Sequence, residues 1–378
     1  MITITRKIQI NFIVNDKSEL KALYEKIYGW QRICRRAANW IITHHYIQEN
    51  IKELFYLTDE TNVKLSAIGK DADGILTTSS MNTTYQVLSK NFKSQIPMGM
   101  LSGLNTIIVK TYRKETKEVW RGDRSIRNYR KDIPMPIRMG DVSNIKKGKD
   151  GNYSFFVYGI SFKTYFGHDL SQNEALFDRA IRGEYKLCDS SMQIDDGKMF
   201  LLTVFSFEPD VIYVDPEKSV KCFLDPSCAI RIEEKNDKFF EIGNAEEFLY
   251  RRIAINGACK RLQKNLKYAK GGKGRNKKLI AIDRFKKKET HYIHSKLHLY
   301  SRLLINYCLK RKIGKIILEN YDDVVAETKN DVLLLENWSY YGLSSLIEYK
   351  AKMAGIIVEK TEIKINAKCN NISTVASQ

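Results

Sequence analysis

Long apolar runs are missing from this chain of 378 residues. No stretch approaches the roughly 18 apolar residues that cross a bilayer, so a membrane-spanning protein is not expected. Paired cysteines are missing too. The seven cysteines, at positions 34, 188, 222, 228, 259, 308 and 369, never form a CxxC pair, which argues against a zinc knuckle or a disulfide framework and predicts free thiols. Acidic residues are in short supply: 44 Asp and Glu face 63 Lys and Arg, a net charge of +19. Such an excess points to a polyanionic partner, nucleic acid being the commonest. The start "MITITRKIQINFIV" alternates like a strand and lacks the layout of a signal peptide, so a cytoplasmic location is expected.

The length is enough for two or three domains. After the alternating "TITRKIQINFIVND", apolar positions in "SELKALYEKIYGWQRICRRAANWIITHHYIQENIKELFYL" recur every three or four residues, predicting one long helix or a pair. Helical sequence continues to about residue 118. "YSFFVYGISFKTYF" and "KMFLLTVFSFEP" then read as strands, with a short helix and a strand in "ALFDRAIRGEYK" between them. A small β-barrel with an inserted helical lobe fits this order.

Proline is scarce, six in all, and two of them sit in "EPDVIYVDPEKS", which reads as a linker. Beyond it "SVKCFLD", "CAIRIEE" and "FFEIG" predict three strands in hairpin succession. A helix is predicted over 245–268, a Gly-Lys loop next, a helix over 283–312, strand "KIILEN", helix "NWSYYGLSSLIEYKAKMAG" and strand "IIVEKTEI". That is the order of an RNase H-like domain, and the fold class expected is α+β and multidomain.

Nucleases of this architecture hold two divalent metals about 4 Å apart, and such hard cations need carboxylates converging from separate elements. Asp225, ending the first strand of the second domain, is the candidate first ligand and Glu319, ending "KIILEN", the second. Each alone also fits an ordinary solvated acid, Asp225 in a turn before Pro226 and Glu319 at a strand end. The architecture takes its third acid from a final helix, yet after Glu362 the segment "IKINAKCNNISTVASQ" has neither Asp nor Glu. Pro226 and Ser227 also stand where a glycine would let metal and phosphate approach. Weak residual Mg²⁺ binding, no required cofactor and no resident metal are therefore expected.

Cations gather in one place. Between Lys260 and Lys288 lie 13 Lys and Arg against the single acid Asp283. Lys267, Lys270, Lys273, Arg275, Lys277, Lys278, Lys286, Lys287 and Lys288 are the candidate phosphate contacts there, and the glycines of "KGGKGRNKK" suggest a loop that follows a phosphate backbone. A second group surrounds a possible stacking ring: Arg121, Arg124, Arg127, Arg130 and Lys131 about Tyr129. His291, His294 and His298 share a helical face but lack an accompanying acid or cysteine cluster, so a solvated or RNA-facing stripe is preferred to a metal site.

The blocks "RGDRSIRNYRKDIPM", "DRAIRGEYKLCDSSMQIDDGKMFLLTVFSFEP", "LKYAKGGKGRNKK", "IILENYDD" and "NWSYYGLSSLIEYKAKMAGIIV" give the chain a resemblance to the compact type V-F CRISPR effectors, relatives of TnpB nucleases. The resemblance implies a wedge β-barrel domain over 1–17 and 119–210, a helical recognition lobe over 18–118, a linker over 211–219 and a RuvC-like RNase H domain over 220–378. It implies guide RNA and target double-stranded DNA as partners, and Arg32, Arg35 and Arg36 beside the duplex flanking the target, with a plain basic helix surface as the alternative. Active members continue into a four-cysteine zinc module, last helix and third catalytic Asp, which these residues do not supply. From this follows the expectation of a nuclease-dead protein with vestigial Asp225 and Glu319, binding DNA without cleavage to regulate transcription. Sigma factor and RNA polymerase are then possible partners, along with a homodimer. The alternatives are a repressor occupying promoters and an active guided endonuclease.

Overall fold

The computed structural model describes residues 1–55, 80–169, 172–208, 213–225, 227–233, 239–268, 271–319 and 340–361. Two compact units divide the chain, Met1–Glu208 and Pro209–Gln378.

The first unit is organised by strand β1 (Ile2–Phe12), in which Ile2, Ile4, Ile8 and Ile10 are buried while Thr3 and Thr5 face solvent. Period-two alternation with one buried face is what a sheet lining a core requires. The other strands are β2 (Met135–Ile137), β3 (Val142–Lys147), β4 (Tyr153–Val157), β5 (Ile160–Tyr165), β6 (Lys186–Asp195) and β7 (Lys198–Phe207). They form one antiparallel sheet in the order β2-β6-β7-β1-β5-β4-β3. Two tight turns set its hairpins. Tyr158 and Gly159 join β4 to β5, and Asp196 and Gly197 join β6 to β7, all four at positive φ as a two-residue primed turn demands. Phe155, Phe162 and Phe205 fill the interior, and Phe177 of helix α4 (Asn173–Ile181) packs edge-on against Phe205.

Between β1 and β2 run helices α1 (Lys17–Phe55), α2 (Ser80–Phe92) and α3 (Met98–Trp120). The sequence allows one helix or two over the first of these stretches; a single helix forms, since no proline interrupts it. Ile27, Cys34, Ala38 and Ile41 of α1 are buried, as are Leu88 of α2 and Met100, Leu104 and Ile108 of α3. The Cys34 thiol lies 3.5 Å from the Met100 sulfur.

In the second unit β8 (Asp215–Phe223), β9 (Ile230–Glu233) and β10 (Phe239–Ile242) pair antiparallel in succession. On the other flank of β8 lie β11 (Ile313–Leu318) and β12 (Ile357–Lys360), both parallel, giving the order β10-β9-β8-β11-β12. Parallel neighbours need long crossovers. Helices α5 (Ala245–Lys267) and α6 (Gly272–Lys310) make the first and α7 (Tyr340–Met353) lies in the second. Leu297, Leu304, Ile305 and Cys308 of α6 and Leu343 and Ile347 of α7 share one core with the strands.

Two sequence readings are corrected here. Strand β8 takes in Asp215 to Ser219, which the prolines mark as linker: the register slips between the Asp215–Ile313 and Ser219–Lys315 pairs, and Pro216 sits in that irregularity, where its missing N–H costs no ladder bond. The Gly-Lys loop is the second. Among the described residues Gly271 and Gly272 turn the chain, at φ 134° and 73°, and α6 starts eleven residues before the predicted position and already runs through Lys273, Arg275, Lys277 and Lys278. Lys and Arg are good helix formers, and Gly274 alone does not stop them.

Candidate nucleic-acid interface and acidic site

The parallel strands of the second unit end together, and ligands gather outside the carboxyl ends of such strands. Asp225 lies two residues past β8 and Glu319 one past β11. The Glu319 amide donates to the Cys222 carbonyl at 3.0 Å, which continues the pairing and brings the two acids to neighbouring strand ends. Thr361 follows β12: its hydroxyl donates to Glu319 Oε2 at 2.7 Å and its amide to the Leu318 carbonyl at 3.1 Å.

Asp225 is heavily engaged. Its Oδ1 accepts the Ser227 amide at 2.8 Å and the Ser227 hydroxyl, and its Oδ2 forms an ion pair with Arg231 Nη1 at 2.9 Å. Burial works against ionisation, but the Ser227 donors and the Arg231 guanidinium outweigh it and hold the carboxyl below the ordinary range. Arg231 is itself shared: Nη2 reaches Glu241 at 3.1 Å and its guanidinium lies over the Phe239 ring at 5.6 Å.

A divalent cation needs several oxygen ligands with free lone pairs. Among the described residues no group of three or more His, Cys, Asp or Glu could hold one. Asp225 and Glu319 stand at neighbouring strand ends, but Oδ2 of Asp225 already faces a guanidinium, so the side chains as they stand fit an internal cation rather than a metal. Ser227, Arg231, Glu241 and Thr361 were invisible as site residues in the sequence; only the β8–β9 register, which pairs Phe223 with Arg231, brings Arg231 to Asp225. Asp322, Asp323 and the segment after Thr361, Cys369 included, lie outside the described residues.

Cationic surface occurs in both units. In the first, Arg35, Arg36 and Trp40 of α1 face Asn128, Arg130 and Lys131 across an open cleft of about 720 Å³. Asn39 builds it: its amide nitrogen donates to the Tyr129 carbonyl at 2.8 Å and its oxygen accepts the Tyr129 amide at 2.7 Å, a two-bond clamp of chain onto helix. Tyr129 is partly buried; Arg32, Arg35, Arg36, Arg121, Arg130 and Lys131 are exposed. Arg124 and Arg127 have internal work, since both pair with Glu115, Arg124 at 3.2 Å and Arg127 through Nε at 3.2 Å with a second, closer contact from Nη2. The Arg127 hydrogen bonds hold the buried Glu115 carboxyl below its ordinary pKa, against burial.

In the second unit α5 and α6 form an antiparallel arm. The buried Arg252 donates to Glu289 Oε1 at 2.5 Å and locks the helices together. Lys278 Nζ reaches the Asn265 carbonyl at 3.1 Å nearer the turn. Lys267, Lys273, Arg275, Lys277, Lys286, Lys287 and Lys288 are exposed on this arm, and Lys270 lies outside the described residues. The first turn of α6 contains no acid, so its cations stand at the positive end of the helix dipole, an arrangement that an incoming anion relieves. His294 and His298 sit ring against ring at 4.4 Å on the same helix.

No family model matches the chain. It is 26% identical over 281 residues to a CRISPR-associated endodeoxyribonuclease Cas12f1 of Sulfoacidibacillus thermotolerans, a match covering 68% of this chain and 65% of that protein. A Cas12f1 endodeoxyribonuclease of Syntrophomonas palmitatica is 25% identical over 201 residues, 50% of this chain and 40% of that one. The chain thus spans less than two thirds of the length of either relative. Among solved structures, the protein of a Cas12f1–sgRNA–target DNA complex superposes with a TM-score of 0.65 over 95% of this chain and 89% of that one, at 14% identity. The likeness to the compact type V-F CRISPR effectors is borne out. The mixed helix-and-sheet fold matches the Cas12f one.

The expectation of a protein without enzymatic activity is overturned by the same comparison. Both relatives are endodeoxyribonucleases by name, which points to a nuclease. The inference from a missing third acid weighed side chains alone, whereas Mg²⁺ is commonly held by one or two carboxylates together with substrate phosphate and water. Among the described residues no helix is long and apolar enough to cross a membrane.

Proposed function

We propose that this chain binds double-stranded DNA under the direction of a guide RNA. The observation that carries the reading is the cationic cleft braced by Asn39 on a chain whose relatives are Cas12f1 proteins. In such effectors base pairing reads the target, and the protein supplies backbone contacts, a short flanking readout and strand separation. The cleft suits the flanking duplex or the guide backbone, and the α5–α6 arm suits a phosphate track.

The domain assignment belongs to the same proposal, with its linker shortened because β8 starts at Asp215: a wedge barrel over 1–17 and 119–210, a recognition lobe over 18–118, a linker over 211–214 and a RuvC-like domain over 215–378. Three antiparallel strands followed by two parallel ones support an RNase H-like second domain. Asp225 and Glu319 then mark its acidic end, and the cytoplasm is where such a protein meets its DNA.

The test is to purify the full chain with its co-expressed RNA, sequence that RNA and present a matching and a scrambled duplex, with and without Mg²⁺. Retention of a defined RNA and strong preference for the matching duplex are expected. An RNA-bound protein that treats both duplexes alike would overturn guided DNA binding and leave a plain RNA-binding protein. Strand scission in the Mg²⁺ arm, lost in Asp225→Asn, reports the nuclease activity that the relatives' names carry. A finer reading, regulation of transcription with sigma factor and RNA polymerase as partners, rests on the same guided binding and is read by whether polymerase subunits co-purify with the RNA-loaded protein.

A further inference from the structure

Tyr129, the ring expected to stack in the α1 cleft, turns its hydroxyl into the interior, and Asn39 clamps its backbone through two hydrogen bonds. Trp40, half-buried, is the other aromatic side chain on the cleft wall. One face of its indole is taken by the His44 ring, at 4.5 Å between centroids and 16° between planes. His44 is held in turn, its Nδ1 lying 3.1 Å from the Thr84 hydroxyl oxygen of α2, so the layer beneath Trp40 is fixed. Residues four apart lie over one another on a helix, which puts the second indole face on the side of Arg36. Arg36 lines the same cleft. Arg35, Arg130 and Lys131 join it there, and among the described residues the wall carries neither Asp nor Glu and none of these four cations forms an ion pair.

We propose that Trp40 is a stacking platform for one unpaired nucleotide, whose base lies on the indole face turned from His44 while its phosphates meet Arg35, Arg36, Arg130 and Lys131. A base inside a duplex already has a neighbour on each face, so only an unpaired or splayed base takes an aromatic side chain as its next layer. The cleft volume of about 720 Å³ lies within the range of sites that hold drug-sized ligands, and a nucleotide is of that size. The inference rests on reading the cleft as a nucleic-acid interface and narrows its occupant. An unpaired nucleotide of the guide RNA and one of an opened DNA strand share this chemistry, since an indole stacks the base and does not read the sugar.

The experiment titrates the RNA-stripped full-length chain, by fluorescence anisotropy, against labelled probes about ten nucleotides long, within the span of one single-strand site. The probes are a GC-rich deoxy strand, its ribo counterpart, an abasic deoxy strand with the same number of phosphates, and the deoxy strand annealed to its complement. Trp40→Ala should weaken binding of the base-bearing single strands about fivefold or more, the low end of what one stacked base is worth by alanine substitution. The abasic strand and the duplex should lose less than about twofold, because their phosphate contacts persist. Trp40→Leu, which keeps apolar bulk without a ring, should behave as the alanine variant does and serves if that one does not fold, whereas Trp40→Phe should stay close to wild type. Trp120, beside Tyr46 and outside the cleft wall, is the control: Trp120→Ala should leave every affinity unchanged. A larger Trp40-dependent loss on the ribo strand assigns the nucleotide to the guide, and a larger one on the deoxy strand assigns it to opened DNA. A ratio of base-bearing to abasic affinity that stays the same in Trp40→Ala and Trp40→Leu, or that falls equally in Trp40→Phe, would overturn the proposal. No probe matches a guide, so loss of guided discrimination would leave this result standing. Failure here, with Arg36→Gln still weakening every probe, would leave the cleft a nucleic-acid interface.

Discussion

A Cβ on Gly314 would stand 2.4 Å from the Asp215 carbonyl oxygen and 2.9 Å from Pro216 Cα, closer than atoms pack. The glycine is what lets β11 run beside the irregular start of β8, and through that pairing it sets the strand ends bearing Asp225 and Glu319. Gly314→Ala should cost about 1–3 kcal/mol, the usual penalty of overpacking, read as a lower denaturation midpoint. Gly29, inside α1 with nothing within 4 Å of its Cβ position, is the contrast: Gly29→Ala should stabilise by roughly 0.5–1 kcal/mol through helix propensity. Glu115 gives a pH-dependent counterpart. Its folded pKa lies below its unfolded value because Arg127 donates to it, so its contribution is present above the unfolded carboxylate pKa and fades as pH falls through the lowered folded one. Thermal melts across that acid range should show a shallower loss in Glu115→Gln than in the wild type; parallel curves would refute the assignment. None of this was legible beforehand. In "RKETKEVW" Glu115 looks like one more charge on a solvated helix face, and only the return of the chain through residues 124–127 gives it partners.

At the scale of elements the sequence spoke clearly wherever one face is buried and turn chemistry is explicit. The alternation of β1 announces its strand, and the structure adds the Asp196–Gly197 turn and the Asn244 cap, whose side chain accepts the Glu247 amide at 3.2 Å, as boundaries of their elements. The start of α6 was misread because glycine and lysine density mimics a flexible loop, while the packing that extends the helix comes from α5, remote in sequence from the pattern being read. That helix start carries a trade-off between stability and binding. Replacing Lys273 and Arg275 with Glu puts acids where the dipole favours them and should stabilise the arm by about 0.3–1 kcal/mol per site. The same double variant should weaken nucleic-acid binding, since two phosphate contacts become repulsive. A melt and a filter-binding titration on one preparation check both signs. Reduced stability together with unchanged binding would remove the arm from the interface.

Across the whole molecule the charge of +19 told the class of partner before any element was placed, but not where the partner lies. The distribution is uneven: Arg124 and Arg127 spend their charge on Glu115, and Arg252 on Glu289, whereas the α1 cleft and the outer faces of the α5–α6 arm present theirs to solvent. Binding through such surfaces releases counterions, so affinity for the guide RNA should drop about a thousandfold between roughly 50 and 200 mM salt if six phosphates are neutralised. Discrimination should behave otherwise. In the guided reading sequence is checked by base pairing, so the ratio of affinities for matching and mismatched duplexes should stay nearly constant over the same salt range while both affinities fall. Parallel titrations of the RNA-loaded protein against the two duplexes decide it. A ratio that collapses together with the affinity would mean that the protein's own cations, and not the guide, choose the DNA.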